Sequence, residues 1–161
     1  MCKKKVAIVM GSPNDMKVVK DSIKILKDFD LKFEVFIISA HKSPNLAINF
    51  SKTAKEKGFC VIIAAAGMAA HLAGFVAANT TLPVIGLPIN CSLNGIDSLF
   101  STVQMPSGVP VLTVGINSAK NAAIAAAQII ATSNDFVYKK LETMKKDMEE
   151  KIFKNNKDLN F

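Results

Sequence analysis

The stretch FCVIIAAAGMAAHLAGFVAA, residues 59–78, is long enough to span a bilayer and carries no formal charge at neutral pH. Its internal order argues for something else. β-Branched Val61, Ile62 and Ile63 give way at Gly67 to an Ala-rich segment, with His71 inside it. A buried strand, a glycine turn and a buried helix explain that order better than a membrane span.

Outward from this stretch, β-rich runs recur: KVAIVM (5–10), FEVFII (33–38), CVIIAA (60–65), PVIGLP (83–88) and VPVLTV (109–114). The first three read as continuously apolar, the pattern of strands covered on both faces. Helical spacing fills the gaps, as in Val18, Val19, Ile23, Ile25 and Leu26, and again in Leu46, Ile48, Phe50 and Ala54. Strands alternating with helices predict an α/β fold, a three-layer αβα sandwich around a mainly parallel sheet of flavodoxin-like or Rossmann-like type. The segment Pro88–Pro110, rich in turn formers, is long for a connection and is expected to cover a site. From Asn117, NSAKNAAIAAAQIIATS predicts a helix whose small side chains admit a close neighbour. The tail from Asp135 places Val137, Leu141, Met144, Met148 and Ile152 at helical spacing. That stripe needs a partner surface, either the chain's own core or, as favoured here, a neighbouring subunit. One domain is expected over residues 1–161, with a core at about 5–132 and an oligomerisation helix at about 134–155.

Composition narrows the function. A chain of 161 residues, 50% apolar, suffices for one domain with its own core and one site. MCKKKVAIVMGSPND has too short an apolar run before Gly11 for a secretory leader. Cys2, Cys60 and Cys91 are odd in number and form no C-x-x-C pair, so neither a disulfide framework nor a zinc site is indicated, and a reducing cytoplasm is expected. Cys60 is expected to be a small core residue. The net charge of +7 comes entirely from Lys, spread along the chain without interleaved aromatics; nucleic acid is not an expected partner, nor is a membrane. Attraction for a small anionic substrate stays open.

Ligands of open parallel sheets bind outside the carboxyl ends of the strands. Three strand-end turns are unusual: GSPND (11–15), SAHKSPN (39–45) and AGMAAH (66–71). In the first, Ser12, Pro13 and Asp15 read as a capping box; the same geometry could present free helix amides and a hydroxyl to an anion, which Gly11 lets approach, although the motif alone favours the cap. In the second, Ser43 before Pro44 reads as a cap. His41 is either a histidine held by hydrogen bonds at a strand end or an acid–base residue beside Ser39 and Lys42. In the third, His71 is a core histidine or faces the same cavity as His41, where Gly67, Ala69 and Ala70 form a wall that a flat ring approaches closely. No metal-ligand spacing and no G-x-S-x-G elbow appears, which leaves cofactor-free acid–base chemistry.

Taken together, VAIVMGSPND, SAHKSP, AGMAAHLAG, PVIGLP and DSLFSTVQMPSGVPV resemble, in order and spacing, the catalytic subunits of phosphoribosylaminoimidazole carboxylase, the class I N5-carboxyaminoimidazole ribonucleotide mutases. The resemblance runs from about Val6 to Ala131. It implies a cofactor-free and metal-free isomerase of de novo purine biosynthesis, acting on a nucleotide supplied by an ATP-dependent synthetase. It further implies His41 as acid–base residue, His71 orienting the carboxyl group, Ser12 and Asp15 binding phosphate and ribose, and residues 66–70 walling a carbon dioxide pocket. A homo-octamer with sites near subunit boundaries follows from the same resemblance. Two positions depart from the family pattern: Lys42 stands where Arg is usual, and Asn14 where a second serine is common. Lys42 also occurs in some members of a second branch, which carboxylates aminoimidazole ribonucleotide directly, but that branch resembles GRSN where this chain has AAHL. A flavodoxin-like module that binds a phosphorylated ligand without turnover, and a purely structural oligomer, are the readings from other classes.

Overall fold

The computed structural model describes residues 4–159, so Cys2 and the start of the N-terminal segment lie outside the described residues. Strands β1 (Lys5–Met10), β2 (Lys32–Ile37), β3 (Phe59–Gly67), β4 (Val84–Ile89) and β5 (Leu112–Thr113) form one parallel sheet in the order β2-β1-β3-β4-β5. Helices α1 (Met16–Asp28), α2 (Pro44–Thr53), α3 (Leu72–Ala77), α4 (Ile96–Val103), α5 (Ala119–Ala131) and α6 (Asp135–Lys157) flank it, giving a flavodoxin-like α/β fold. Residues 59–78 are β3, a turn and α3. No helix among the described residues is long and apolar enough to cross a membrane.

The continuous apolar runs serve two faces at once. Val6, Ile8, Val61, Ile63, Ile85 and Leu87 join the core under α1, α5 and α6. Ala7, Val9, Ile62, Ala64 and Val84 face α2 and α3 on the other side. Each fully buried aliphatic side chain stabilises by about 1.5–3 kcal/mol relative to exposure, so the two central strands β1 and β3 anchor the fold. Ala119, Ala122, Ala123, Ala126 and Ala127 are buried, and their small size lets α5 approach α1, where Ser22 Oγ donates to the Ala119 carbonyl at 2.7 Å. Cys60 is half-buried and donates to the Lys5 carbonyl at 3.4 Å.

Three expectations are corrected. β2 is an edge strand whose residues are half-buried or exposed, Ile37 at 53%, so it is not covered on both faces. β5 keeps only Leu112 and Thr113 of the run 109–114 and pairs with Ile85 and Gly86, because Pro110 has no N–H to give the ladder. The segment Pro88–Pro110 is mostly structured: it contains α4, which packs on β4 and donates from Ser98 Oγ to the Ile89 carbonyl at 2.9 Å. Of this segment only Cys91 lines the cavity described below, so a covering role is not seen. The C-terminal stripe divides. Val137 and Leu141 are buried in the chain's own core, whereas Met148 and Ile152 are 60% and 59% exposed.

Candidate active site

From β1 the chain moves to β2 on one side, and β3 lies on the other, so the order reverses between β1 and β3. The diverging turns at such a point open a crevice at the carboxyl edge. Here the crevice is a cavity of about 550 Å³ between the turns 11–15, 39–42 and 66–72, within the range of small-ligand sites. Gly11, Ser12, Asn14, Asp15, Ser39, Ala40, His41, Lys42, Gly67, Ala69 and His71 all line it. Ala70 does not: it is 1% exposed and sits behind the wall.

The first turn is a capping box. Ser12 Oγ accepts from the Asn14 amide at 3.3 Å, and Asp15 Oδ2 accepts from the Ser12 amide at 2.9 Å. The Asp15 amide donates to the Ser12 carbonyl, and the Gly11 amide donates to Ala65 on β3. This corrects the expected anion site: the amides of residues 11, 12, 14 and 15 are all engaged, and Pro13 has none. What the turn offers an anion is the Ser12 hydroxyl proton and the Asn14 side chain, with the Lys42 ammonium on the facing loop. Asp15 is 5% exposed; burial pushes its carboxyl above the usual range, and hydrogen bonds from the Ser12 and Gly11 amides oppose that.

The second turn is clamped by two serines. Ser39 donates its amide to Ser43 Oγ at 3.1 Å, Ser43 Oγ donates to the Ser39 carbonyl at 3.0 Å, and Lys42 donates its amide to Ser39 Oγ at 3.2 Å. Ser43 therefore does not cap α2 with its side chain, as its position before Pro44 had suggested, because that hydroxyl is spent holding the loop. His41 stands at the apex of this loop. The third turn bends through Met68, a non-glycine residue in the left-handed region at φ 55°, with Ala70 and His71 donating amides to Met68 and Ala69. That bend carries His71 over the cavity, where its Nδ1 lies 2.8 Å from His41 Nε2. The two histidines, 30 residues apart, are thus one unit, as the sequence had left open.

Leu72 and Cys91 also line the cavity and were not singled out from sequence. Cys91 follows β4, so extending the strand-end rule to the fourth strand would have found it. Its sulfur packs over Gly67: a Cβ there would lie 2.3 Å from Cys91 Sγ and 3.1 Å from the Ile89 carbonyl oxygen. Desolvation, then the Asp15 and Asp97 carboxylates, push the thiol up, so it stands as a neutral S–H at the rim. Gly67→Ala is expected to destabilise by about 1–3 kcal/mol through this overlap. Adding Cys91→Ala should recover much of that loss, and a urea double-mutant cycle with additive single effects would disprove the contact.

Residues 5–151 match the AIR carboxylase family. The chain is 49% identical over 155 residues to N5-carboxyaminoimidazole ribonucleotide mutase of Pyrococcus horikoshii, covering 96% of this chain and 88% of that protein. It is equally 49% identical over 149 residues to the mutase of the same name from Thermotoga maritima, covering 92% and 87%. Treponema denticola PurE, known from its crystal structure, shares the fold at a TM-score of 0.88 and 27% identity, covering 98% of this chain and 99% of that one. A match that begins with β1 and extends well into α6, joined to relatives of nearly half identical sequence, establishes that the chain belongs to the AIR carboxylase family.

Proposed function

We propose that the chain is an N5-carboxyaminoimidazole ribonucleotide mutase of de novo purine biosynthesis. The reaction is an isomerisation: a carboxyl group leaves the exocyclic nitrogen and is re-formed on carbon 4, giving 4-carboxy-5-aminoimidazole ribonucleotide. The observation that carries this reading is the His41–His71 pair set between a wall of small residues and a turn bearing a hydroxyl and a carboxylate. As the N–CO₂ bond breaks, its electron pair goes to nitrogen, which takes a proton from His41; carbon 4 then attacks the retained carbon dioxide, and His41 removes the proton from that carbon. The proton count closes, so neither base nor acid need be supplied from solvent.

Each lining residue has a place in this scheme. Ser12, Asn14 and Lys42 bind the phosphate, and Asp15 accepts from ribose hydroxyls. Gly11, Ser39 and Ala40 bring backbone close to the nucleotide. Gly67 and Ala69, with Ala66 and Met68, form the wall that keeps carbon dioxide from water, and Ala70 packs behind it. Lys42 supplies a point charge where Arg would supply a fork, and it is the one feature that keeps direct carboxylation of aminoimidazole ribonucleotide as a second reading. Ultraviolet absorbance of the carboxylated product separates the two. Turnover from N5-carboxyaminoimidazole ribonucleotide alone supports the mutase; turnover from aminoimidazole ribonucleotide and bicarbonate alone overturns it.

The same proposal includes a single catalytic domain, a homo-octamer, a cytoplasmic location and supply of substrate by an ATP-dependent synthetase. The exposed end of α6 supports assembly, since Met148, Ile152 and Phe153 are 60%, 59% and 60% exposed in the isolated chain. Shortening the chain at about Ser133 should abolish assembly but also strips Val137 and Leu141 from the core. A cleaner test is Met148→Glu with Ile152→Glu, expected to yield a folded, smaller species by light scattering. An unchanged size would show that α6 is not an interface.

A further inference from the structure

His41 Nε2 and His71 Nδ1 are 2.8 Å apart, with ring planes at 74° and centroids 4.9 Å apart. A neutral imidazole has one N–H and one lone-pair nitrogen, so a contact this short requires one proton between the two facing nitrogens. Two lone pairs, or two N–H groups, would repel. The protonation of the two rings is therefore linked: whichever nitrogen holds the shared proton, the other must accept it. Asp15, Lys42 and Cys91 line the same cavity, yet among the described residues no carboxylate hydrogen-bonds either imidazole. The orienting partner of His41 is another imidazole. That partner can itself hold a proton, and since Nε2 of His41 is engaged, Nδ1 is the nitrogen left to meet a substrate.

We propose that His41 and His71 form a proton-sharing pair, in which His71 is a positioning residue that stores the migrating proton and returns it through Nε2 of His41. The substrate in this inference rests on the mutase reading; the pair itself does not. At the start His71 carries both ring protons and donates Nδ1–H to Nε2 of neutral His41. As the N–CO₂ bond breaks, the Nδ1–H bond of His41 breaks and its proton bonds to the exocyclic nitrogen. The shared proton crosses to Nε2 of His41, its former bond pair stays on His71 Nδ1, and the pair is neutral. After carbon 4 has bonded to carbon dioxide, its proton goes to Nδ1 of His41 and the shared proton crosses back to His71. No co-reactant is needed. Both rings are exposed to the open cavity, and a bound nucleotide that displaces water strengthens the contact.

Two variants and two readouts test this. In His71→Ala the partner is gone; in His71→Asn a hydrogen bond to Nε2 of His41 can form, but no proton can be stored. The expected result is kcat lower by about 10²-fold in both, with KM within about threefold of wild type. If His71 only orients His41 or the carboxyl group, Asn will restore most of the rate lost in Ala, and the proposal fails. The second readout does not need turnover. Residues 1–161 contain two histidines, so proton–nitrogen-15 correlation spectra of the protein report both rings directly. His71→Ala should change the tautomer pattern of His41, and His41→Ala that of His71. An unchanged pattern in either ring overturns the pair, whereas absence of mutase activity in the wild type with coupled tautomers overturns the substrate reading and leaves the pair standing.

Discussion

His41→Asn is expected to lower kcat by about 10³–10⁴-fold while nucleotide affinity stays within about threefold of wild type. Asn fits the clamped loop and can still hydrogen-bond with His71 Nδ1, so the geometry of the turn held by Ser39 and Ser43 persists. It cannot accept and release a proton near neutral pH. Both proton transfers of the proposed reaction pass through this residue, one to nitrogen and one from carbon, and Cys91, held as a neutral thiol, does not replace it. Single-turnover absorbance with product binding by calorimetry makes the check. A variant that retains more than a tenth of the rate would remove His41 from the chemistry, and one that loses binding in parallel would make it a nucleotide ligand.

The wall opposite explains why proton transfer alone does not describe the site. In the proposed reaction carbon dioxide has no charge for a side chain to grip, so its retention would depend on shape and dryness. Ala66, Gly67 and Ala69 bring backbone close, and Ala70 fills the space behind them. Gly67 also carries the Cys91 sulfur against its open face, which closes the wall from the side of β4. A larger residue at 67 therefore costs twice, once in packing and once in the volume left for the carboxyl group.

The layout of the site was legible because the sheet is parallel and its strand ends carry unusual residues. Gly11, His41 and His71 each follow a strand that the apolar runs 5–10, 33–38 and 60–65 mark clearly, and the order reversal at β1 and β3 brings those ends together. What the pattern could not carry was the hydrogen-bond accounting. Ser12, Pro13 and Asp15 fit a capping box and leave an anion site open; the two compete for the amides, and the cap has them. Ser43 looks like a cap by position, but its choice of Ser39 over α2 depends on how the loop closes. Local residues similarly cannot tell an edge strand from a central one, so FEVFII read as covered although Glu34 and Ile37 face outward. The C-terminal stripe mixed two surfaces in one periodicity, Val137 and Leu141 inward and Met148 and Ile152 outward.

Asp15→Asn is expected to separate stability from function. Burial pushes the Asp15 carboxyl above its ordinary value of 3.8, while the amides of Ser12 and Gly11 pull the other way. The native state therefore binds this proton more tightly than the unfolded chain does. Its contribution to stability is fully present below pH 3.8 and is lost as pH rises through the raised native value. Above that raised value the residue is a buried carboxylate, and an Asn in its place accepts from the Ser12 amide without a charge to desolvate. The variant should thus unfold at a higher urea concentration than wild type at pH 7, with the difference shrinking as pH is lowered toward and below 3.8. Activity should move the other way. Charge-assisted hydrogen bonds to ribose hydroxyls contribute about 1.5–3 kcal/mol, so kcat/KM should fall about 10–100-fold. A lower urea midpoint at pH 7 with unchanged kcat/KM would make Asp15 a structural carboxylate, needed for the cap and idle toward the nucleotide. The opposite pair of results would mean that the turn tolerates a buried charge because the substrate requires one, which is how a local destabilisation can persist at the edge of an otherwise apolar sheet.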